Sequence, residues 1–287
     1  MILFGAEAVV CECRNQNSVS KIRGLWPSPR PSNDRPNFEV ILTSARLRFD
    51  GPRRGHIHEI HSDRPWNHLI TSYTSRELTF SVDRILAISG IAHQVGTAIQ
   101  DRYCAGLWLS DMCQQLSWSI TEDPQPIPDH YQGPSWSWVS VNGIVFYHYD
   151  KNFRPAAEIV GVDIKLKDAR APYGSVLYGL LQLHSRTLPA ELVLHENGEQ
   201  HVVMSGTHCK ILHCSYYPDT RNPSNGVMRN RYSPILLAQL GFGWTNDVAC
   251  IVLRIVREWI YSRVRLLNVD QSKQSLEWGT LVSLTIE

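Results

Sequence analysis

The sequence predicts an α+β fold: three short helices packed on a mainly antiparallel β core, preceded by a disordered, proline-rich N-terminal segment. Three observations carry that expectation. Residues 14–37 are polar and contain Pro27, Pro29, Pro31 and Pro36, the composition of a linker. Between positions 65 and 118 apolar residues recur at three- and four-residue steps, as on one face of a helix. Beyond Ser135 the chain breaks into runs rich in Val, Ile, Leu and aromatic residues, bounded by turn formers. Helices and strands are therefore segregated along the chain. Three segments follow: 1–37, a helical region over 38–134, and a β-rich region over 135–287.

Taken in order, residues 1–10 form a short apolar run before the linker, and 38–49 alternate as a strand closed by Asp50-Gly51-Pro52. Trp66, Leu69, Ile70 and Tyr73 mark the first helix. Ser81 is placed to cap a second, whose apolar positions are Val82, Ile85, Leu86, Ile88, Ala92, Val95 and Ile99. Asp83 falls in its first turn, where the helix dipole favours an acid, and reads as a cap or ion-pair residue rather than a catalyst. Trp108, Met112 and Leu116, at four-residue steps, predict a third helix.

Gly133-Pro134-Ser135-Trp136-Ser137-Trp138-Val139-Ser140-Val141-Asn142-Gly143 is the stretch that organises the chain. In an extended backbone Trp136 and Trp138 share a face, and Asn142-Gly143 accepts the positive φ angles of a type I′ turn, so a hairpin is expected. Two adjacent indoles favour a core position, with an exposed ligand platform as the alternative. Further strands are expected at 157–166, 176–183, 190–195, 200–204, 210–216, 235–240, 248–256, 259–267 and 280–286. Asn197-Gly198 suggests another hairpin, 253–267 also fits a helical period, and 217–232 reads as a long loop.

Bulk properties exclude more than they name. With 28 Lys and Arg against 27 Asp and Glu, the net charge of +1 offers no field for nucleic acid or an anionic membrane. Seven cysteines, an odd number, and no N-x-S/T site except the proline-blocked Asn222-Pro223-Ser224 fit a reducing, cytoplasmic setting. No window approaches about 18 uninterrupted apolar residues, so no spanning helix is expected. Nine tryptophans point to a well-filled interior.

Candidate chemistry is sparse. His56, His58, Glu59 and His61 are the best metal candidates, but His61 has the wrong parity in a strand. His208-Cys209 and His213-Cys214 cannot share one ion in extended chain, and Cys11-Glu12-Cys13 lacks a second pair. No nucleophile elbow, P-loop or dinucleotide fingerprint is present, and Gly241-Phe242-Gly243-Trp244 reads as a turn or bulge. None of Glu77, Asp83, Asp101, Asp111 or Glu122 has the context of a catalytic pair. No catalytic, cofactor or metal residue is expected.

One stretch carries a resemblance. Leu78-Thr79, the run Asp83 to Ala92 with Gly90, then Tyr103, Ala105-Gly106-Leu107-Trp108, Leu116, Trp118, Tyr131 and Pro134-Ser135-Trp136-Ser137-Trp138 resemble, in order and spacing, the segment that follows the core of fungal HET-domain (heterokaryon incompatibility) proteins. Weaker echoes extend it to roughly two thirds of the chain, and nothing in 1–37 resembles the HET core itself. The resemblance implies an accessory or regulatory region linked to non-self recognition and programmed cell death, without activity of its own. Its partner would be another protein or the HET core. The structural motif would be Asp83, Gly90, Trp108, Trp118, Trp136, Trp138, Asn142 and Gly143. Two alternatives stand beside this: a ligand- or carbohydrate-binding β module using tryptophan faces, and a remnant of a TIR-like nucleotide hydrolase.

Overall fold

A computed structural model describes residues 2–4, 8–13, 16–21 and 65–287, except positions 77, 79, 121–124, 127, 149–151, 195–199, 205–213, 219–230, 244–246 and 271–275. The chain divides into two units, Met1–His56 and Ile57–Glu287. In the first, β1 (Ile2–Phe4), β2 (Ala8–Cys13) and β3 (Gln16–Lys21) form an antiparallel meander. The expected linker therefore begins with a strand, because β3 finds backbone partners along the whole of β2, which its polar composition did not signal. The four prolines, the strand expected at 38–49 and the histidines of 56–61 lie outside the described residues.

In the second unit the described helices and strands form an α+β fold with a mainly antiparallel sheet. Helix α1 (Pro65–Thr74) buries Trp66, Leu69 and Ile70; helix α2 (Arg84–Ile99) buries Ile85, Ile88, Ala92 and Val95 at three- and four-residue steps. Ser81 does not cap α2. Ser81–Asp83 form a 3₁₀ turn, Asp83 takes the N-cap position without a side-chain hydrogen bond, and Val82 and Leu86 face outward. Gly90 lies on the exposed face of α2, where an added Cβ would meet nothing within 4 Å.

Trp108 is not helical. It ends the small hairpin of β4 (Tyr103–Cys104) and β5 (Leu107–Trp108), and the third helix, α3, is the single turn Met112–Gln115. The Trp108 backbone N–H donates to Gln115 Oε1 at 2.8 Å, a bond that ties the strand to the helix instead of extending the helix through it.

The expected tryptophan hairpin is also absent. Ser137 Oγ accepts from the Val139 N–H at 3.1 Å and Ser140 Oγ donates to the Ser137 carbonyl at 2.7 Å, closing a 3₁₀ turn over Trp138–Ser140. Local side-chain bonds of this kind compete with a sheet ladder. Both indoles are nonetheless fully buried. After Asn142 and Gly143, strand β7 (Val145–Tyr147) pairs with β6 (Trp118–Ile120), not with residues 135–141. Gly143 does have φ +106°, and its carbonyl accepts from Arg84 at 2.8 Å.

The remaining strands are β8 (Arg154–Pro155), β9 (Glu158–Leu166), β10 (Val176–Leu194), β11 (Gln200–Met204), β12 (Cys214–Pro218), β13 (Arg231–Phe242), β14 (Asp247–Arg257), β15 (Ile260–Asp270) and β16 (Leu281–Ile286). The runs expected at 176–183 and 190–195 are one strand. Over 181–186 β10 pairs with β16 and over 187–194 with β13, which closes a ring β10-β16-β15-β14-β13-β10 and leaves none of these five as a free edge. Leu188, Leu237, Val248, Val252, Leu267 and Val269, all on these strands, belong to one buried hydrophobic cluster.

The helical reading of 253–267 is overturned. β14 and β15 form a hairpin whose tip holds Trp259 at φ +62°, and two register shifts in it explain why its residues mimic a helical period. β10 and β11 pair antiparallel over 190–194 and 200–204, while Asn197-Gly198, His208 to His213 and 219–230 lie outside the described residues. No helix among the described residues is long and apolar enough to cross a membrane.

Candidate functional site

Two sites emerge, a buried tryptophan cage and an open cleft hung from it. The cage is centred on the turn Ala105-Gly106. Both residues have positive φ, 46° and 101°, the geometry of a two-residue type I′ turn joining β4 to β5. The Gly106 carbonyl receives two indole N–H groups, from Trp66 and from Trp138, each at 3.0 Å. Ser137 Oγ donates to the Ala105 carbonyl. Trp118 donates to the Trp136 carbonyl at 3.0 Å and Trp136 to the Gly179 carbonyl at 3.3 Å. Tyr103, Trp66 and Trp108 pack edge to face around the same turn, with centroids 5.1–6.1 Å apart. These indoles have no exposed face, so Trp108, Trp118, Trp136 and Trp138 are not a ligand platform.

Two arginines enter the cage. Arg84 is buried, with its guanidinium 5.4 Å above the Trp138 ring; burial lowers its pKa to about 10. Arg263 lies 3.6 Å above the Trp118 ring and donates to the Leu116 and Trp118 carbonyls, each at 2.6 Å. Burial first, and then the Arg263 charge, push His148 down to about 4, so at neutral pH its imidazole is uncharged where it meets Ser119 Oγ at 2.6 Å. Burial raises the thiols of Cys104 and Cys113 to about 11, which leaves them protonated and poor nucleophiles.

The cleft has a volume of about 710 Å³ and lies between the 128–135 loop, the start of β10 and the β14–β15 hairpin. Its cationic wall is Arg254, Arg257 and Arg263; its acids are Asp129 and Glu287. Arg257 and Glu287 form an exposed ion pair at 3.1 Å. Glu287 is strapped in place, its N–H donating to the Tyr261 carbonyl at 2.9 Å and its own carbonyl accepting from the Ser135 N–H at 3.1 Å and from Ser135 Oγ. Ser135 Oγ in turn accepts the Arg263 N–H at 2.9 Å. Tyr131 and Tyr178 stand half-exposed over the cleft; burial, then the Glu287 charge, raise the Tyr131 phenol to about 12.

The sequence offered no cleft residue as a site. Arg254 and Arg257 were legible only as part of an ambiguous period, and in 128–133 only Tyr131 and Gly133 belonged to a motif, neither of them as a site residue. Of the motif residues, Trp108, Trp118, Trp136 and Trp138 converge in the cage and Gly143 touches it through Arg84, whereas the exposed Gly90 has no part in it. Asp101 has a structural duty, its carboxylate accepting from the Arg102 N–H and from both Ser110 donors. Among the described residues no group of three His, Cys, Asp or Glu could hold a metal ion. No family model, no curated protein and no solved structure matches this chain.

Proposed function

We propose that this chain is an accessory or regulatory module of the heterokaryon incompatibility type, acting in the cytoplasm of a fungal cell through a protein partner or a HET core, in non-self recognition and cell death. The observation that supports it is the cage. Of the residues that resemble the family, Tyr103, Gly106, Trp108, Trp118, Trp136 and Trp138 are dispersed in the sequence yet meet in one buried unit, the behaviour of a motif that specifies a module, whereas Gly90 and Tyr131 lie outside it. Most polar groups of that unit are spent on structure: the indole N–H groups of Trp66, Trp118, Trp136 and Trp138 donate to backbone carbonyls, and the thiols of Cys104 and Cys113 are held protonated, while the Trp108 indole N–H is buried without a hydrogen-bond partner. A ligand-binding module remains the second reading, through the cleft rather than through tryptophan faces.

Expression of the 287-residue chain in a filamentous fungus, alone and joined behind a HET core, tests the proposal. The chain alone is expected to leave viability unchanged, and the joined form to change the death rate given by the core. Killing by the chain alone, or a core indifferent to it, would overturn the accessory role.

A further inference from the structure

We propose that the cleft binds a small organic anion, a phosphate monoester or carboxylate carrying an apolar or aromatic body. The inference goes beyond the accessory role and does not depend on it. Its first support is the register of β14. Arg254 and Arg257 differ by an odd number of positions and would point to opposite faces of a regular strand, yet both line the cleft. The register shift between Ile255 and Arg257 inserts the extra residue that brings them to one side, opposite Ser262 and Ile260. A bulge that re-aims one arginine beside another creates a doubly cationic wall.

The charges on that wall are unequally engaged. Arg263 is committed to two carbonyls and contributes its field from behind. Arg257 holds only the exposed Glu287 carboxylate, and no described residue forms an ion pair with Arg254. Two guanidiniums present fork-shaped donor sets suited to an oxyanion. The same cleft is lined by the half-exposed Tyr131 and Tyr178 and by an apolar floor of Val141, Leu180 and Val264. The floor is fixed in place: a Cβ on Gly179 would stand 3.0 Å from Pro134 and 3.1 Å from Trp136, so the strand lies directly on the cage. The cleft volume of about 710 Å³ falls within the range of roughly 300–1,000 Å³ usual for small-molecule sites.

Calorimetric titration of the full chain with phenyl phosphate, phenylacetate, inorganic phosphate and phenol tests the assignment. Phenyl phosphate or phenylacetate is expected to bind, the tighter of the two naming the head group. Inorganic phosphate and phenol should bind at least about tenfold more weakly than that anion. Arg254→Ala and Arg257→Ala should each weaken binding about tenfold or more without lowering the melting temperature. Glu287→Gln, which removes the competing carboxylate, should strengthen it, and Arg170→Ala, on an exposed turn, should leave it unchanged. No heat with either aromatic anion up to about 10 mM, or binding that both arginine variants leave within about twofold, overturns the proposal.

Discussion

Replacing Gly106 with alanine is the most informative single perturbation of the cage. Three costs add. The residue sits at φ +101°, a conformation that costs an L side chain about 1–2 kcal/mol. The new Cβ would stand 2.7 Å from Trp138 Nε1 and 2.9 Å from its Cε2, against an indole that is itself fully buried and has nowhere to retreat. Overpacking of that kind costs about 1–3 kcal/mol. Any shift that relieves it pulls the Gly106 carbonyl away from the N–H groups of Trp66 and Trp138, and a buried donor left without a partner costs about 1–3 kcal/mol. The expected loss is about 3–8 kcal/mol, a large part of the stability of an ordinary domain. Gly90→Ala is the matched control, because it removes a glycine from an exposed helix position with open space around it. It should stabilise by about 0.5–1 kcal/mol. Urea unfolding followed by tryptophan fluorescence reports both. A Gly106→Ala midpoint equal to that of the wild type would refute the clamp, and a destabilised Gly90→Ala would show that the second glycine is structural too.

Arg263→Met keeps an unbranched apolar stem but removes the guanidinium and its donors to the Leu116 and Trp118 carbonyls, and should destabilise by about 2–5 kcal/mol in the same assay; an unchanged midpoint would mean that the guanidinium only fills space. His148 is held neutral in the native state with its pKa lowered to about 4, while the unfolded chain takes up a proton near 6.5. The stability tied to it is therefore fully present above about pH 6.5 and falls away as the pH drops through about 4, by about 1–2 kcal/mol once solvent screening at a partly exposed site is allowed for. His148→Gln should flatten the melting temperature between pH 7 and 4.5 relative to wild type; parallel curves would exclude His148 as the source.

The parts of the fold that were legible in the sequence are those where one local rule decides. The α2 face of Ile85, Ile88, Ala92 and Val95 follows from helical period alone, and most strands follow from β-branched runs. The errors fall where side chains bond to nearby backbone or where strand pairing is interrupted. Ser137 and Ser140 turned an expected strand into a 3₁₀ turn. Asn142-Gly143 carried the standard turn signal, whereas the tight hairpin turn is Ala105-Gly106, because indole donors clamp its carbonyl across the fold. The ambiguity over 253–267 has the same origin as the cleft: register shifts change the phase of a strand so that positions three apart share a face, as they do in a helix. Nothing local in 128–135 shows that it forms a wall, since its partners are Glu287 and Arg263, more than a hundred residues away.

That distance makes the cleft and the cage one mechanical object. Ser135 is the joint, one residue before the buried Trp136, where its hydroxyl accepts from the Arg263 backbone and donates to the Glu287 carbonyl. Arg263 reaches inward to the carbonyls on either side of Ser117, and Glu287 reaches outward to Arg257. The position of the outer arginine is thus set by a chain of bonds that begins under the Trp118 ring. A change that loosens the cage displaces the cationic wall with it, whereas Arg254→Ala and Arg257→Ala alter the wall and leave every bond of the cage intact. The two classes of variant separate the structural duty of this unit from whatever its cleft holds.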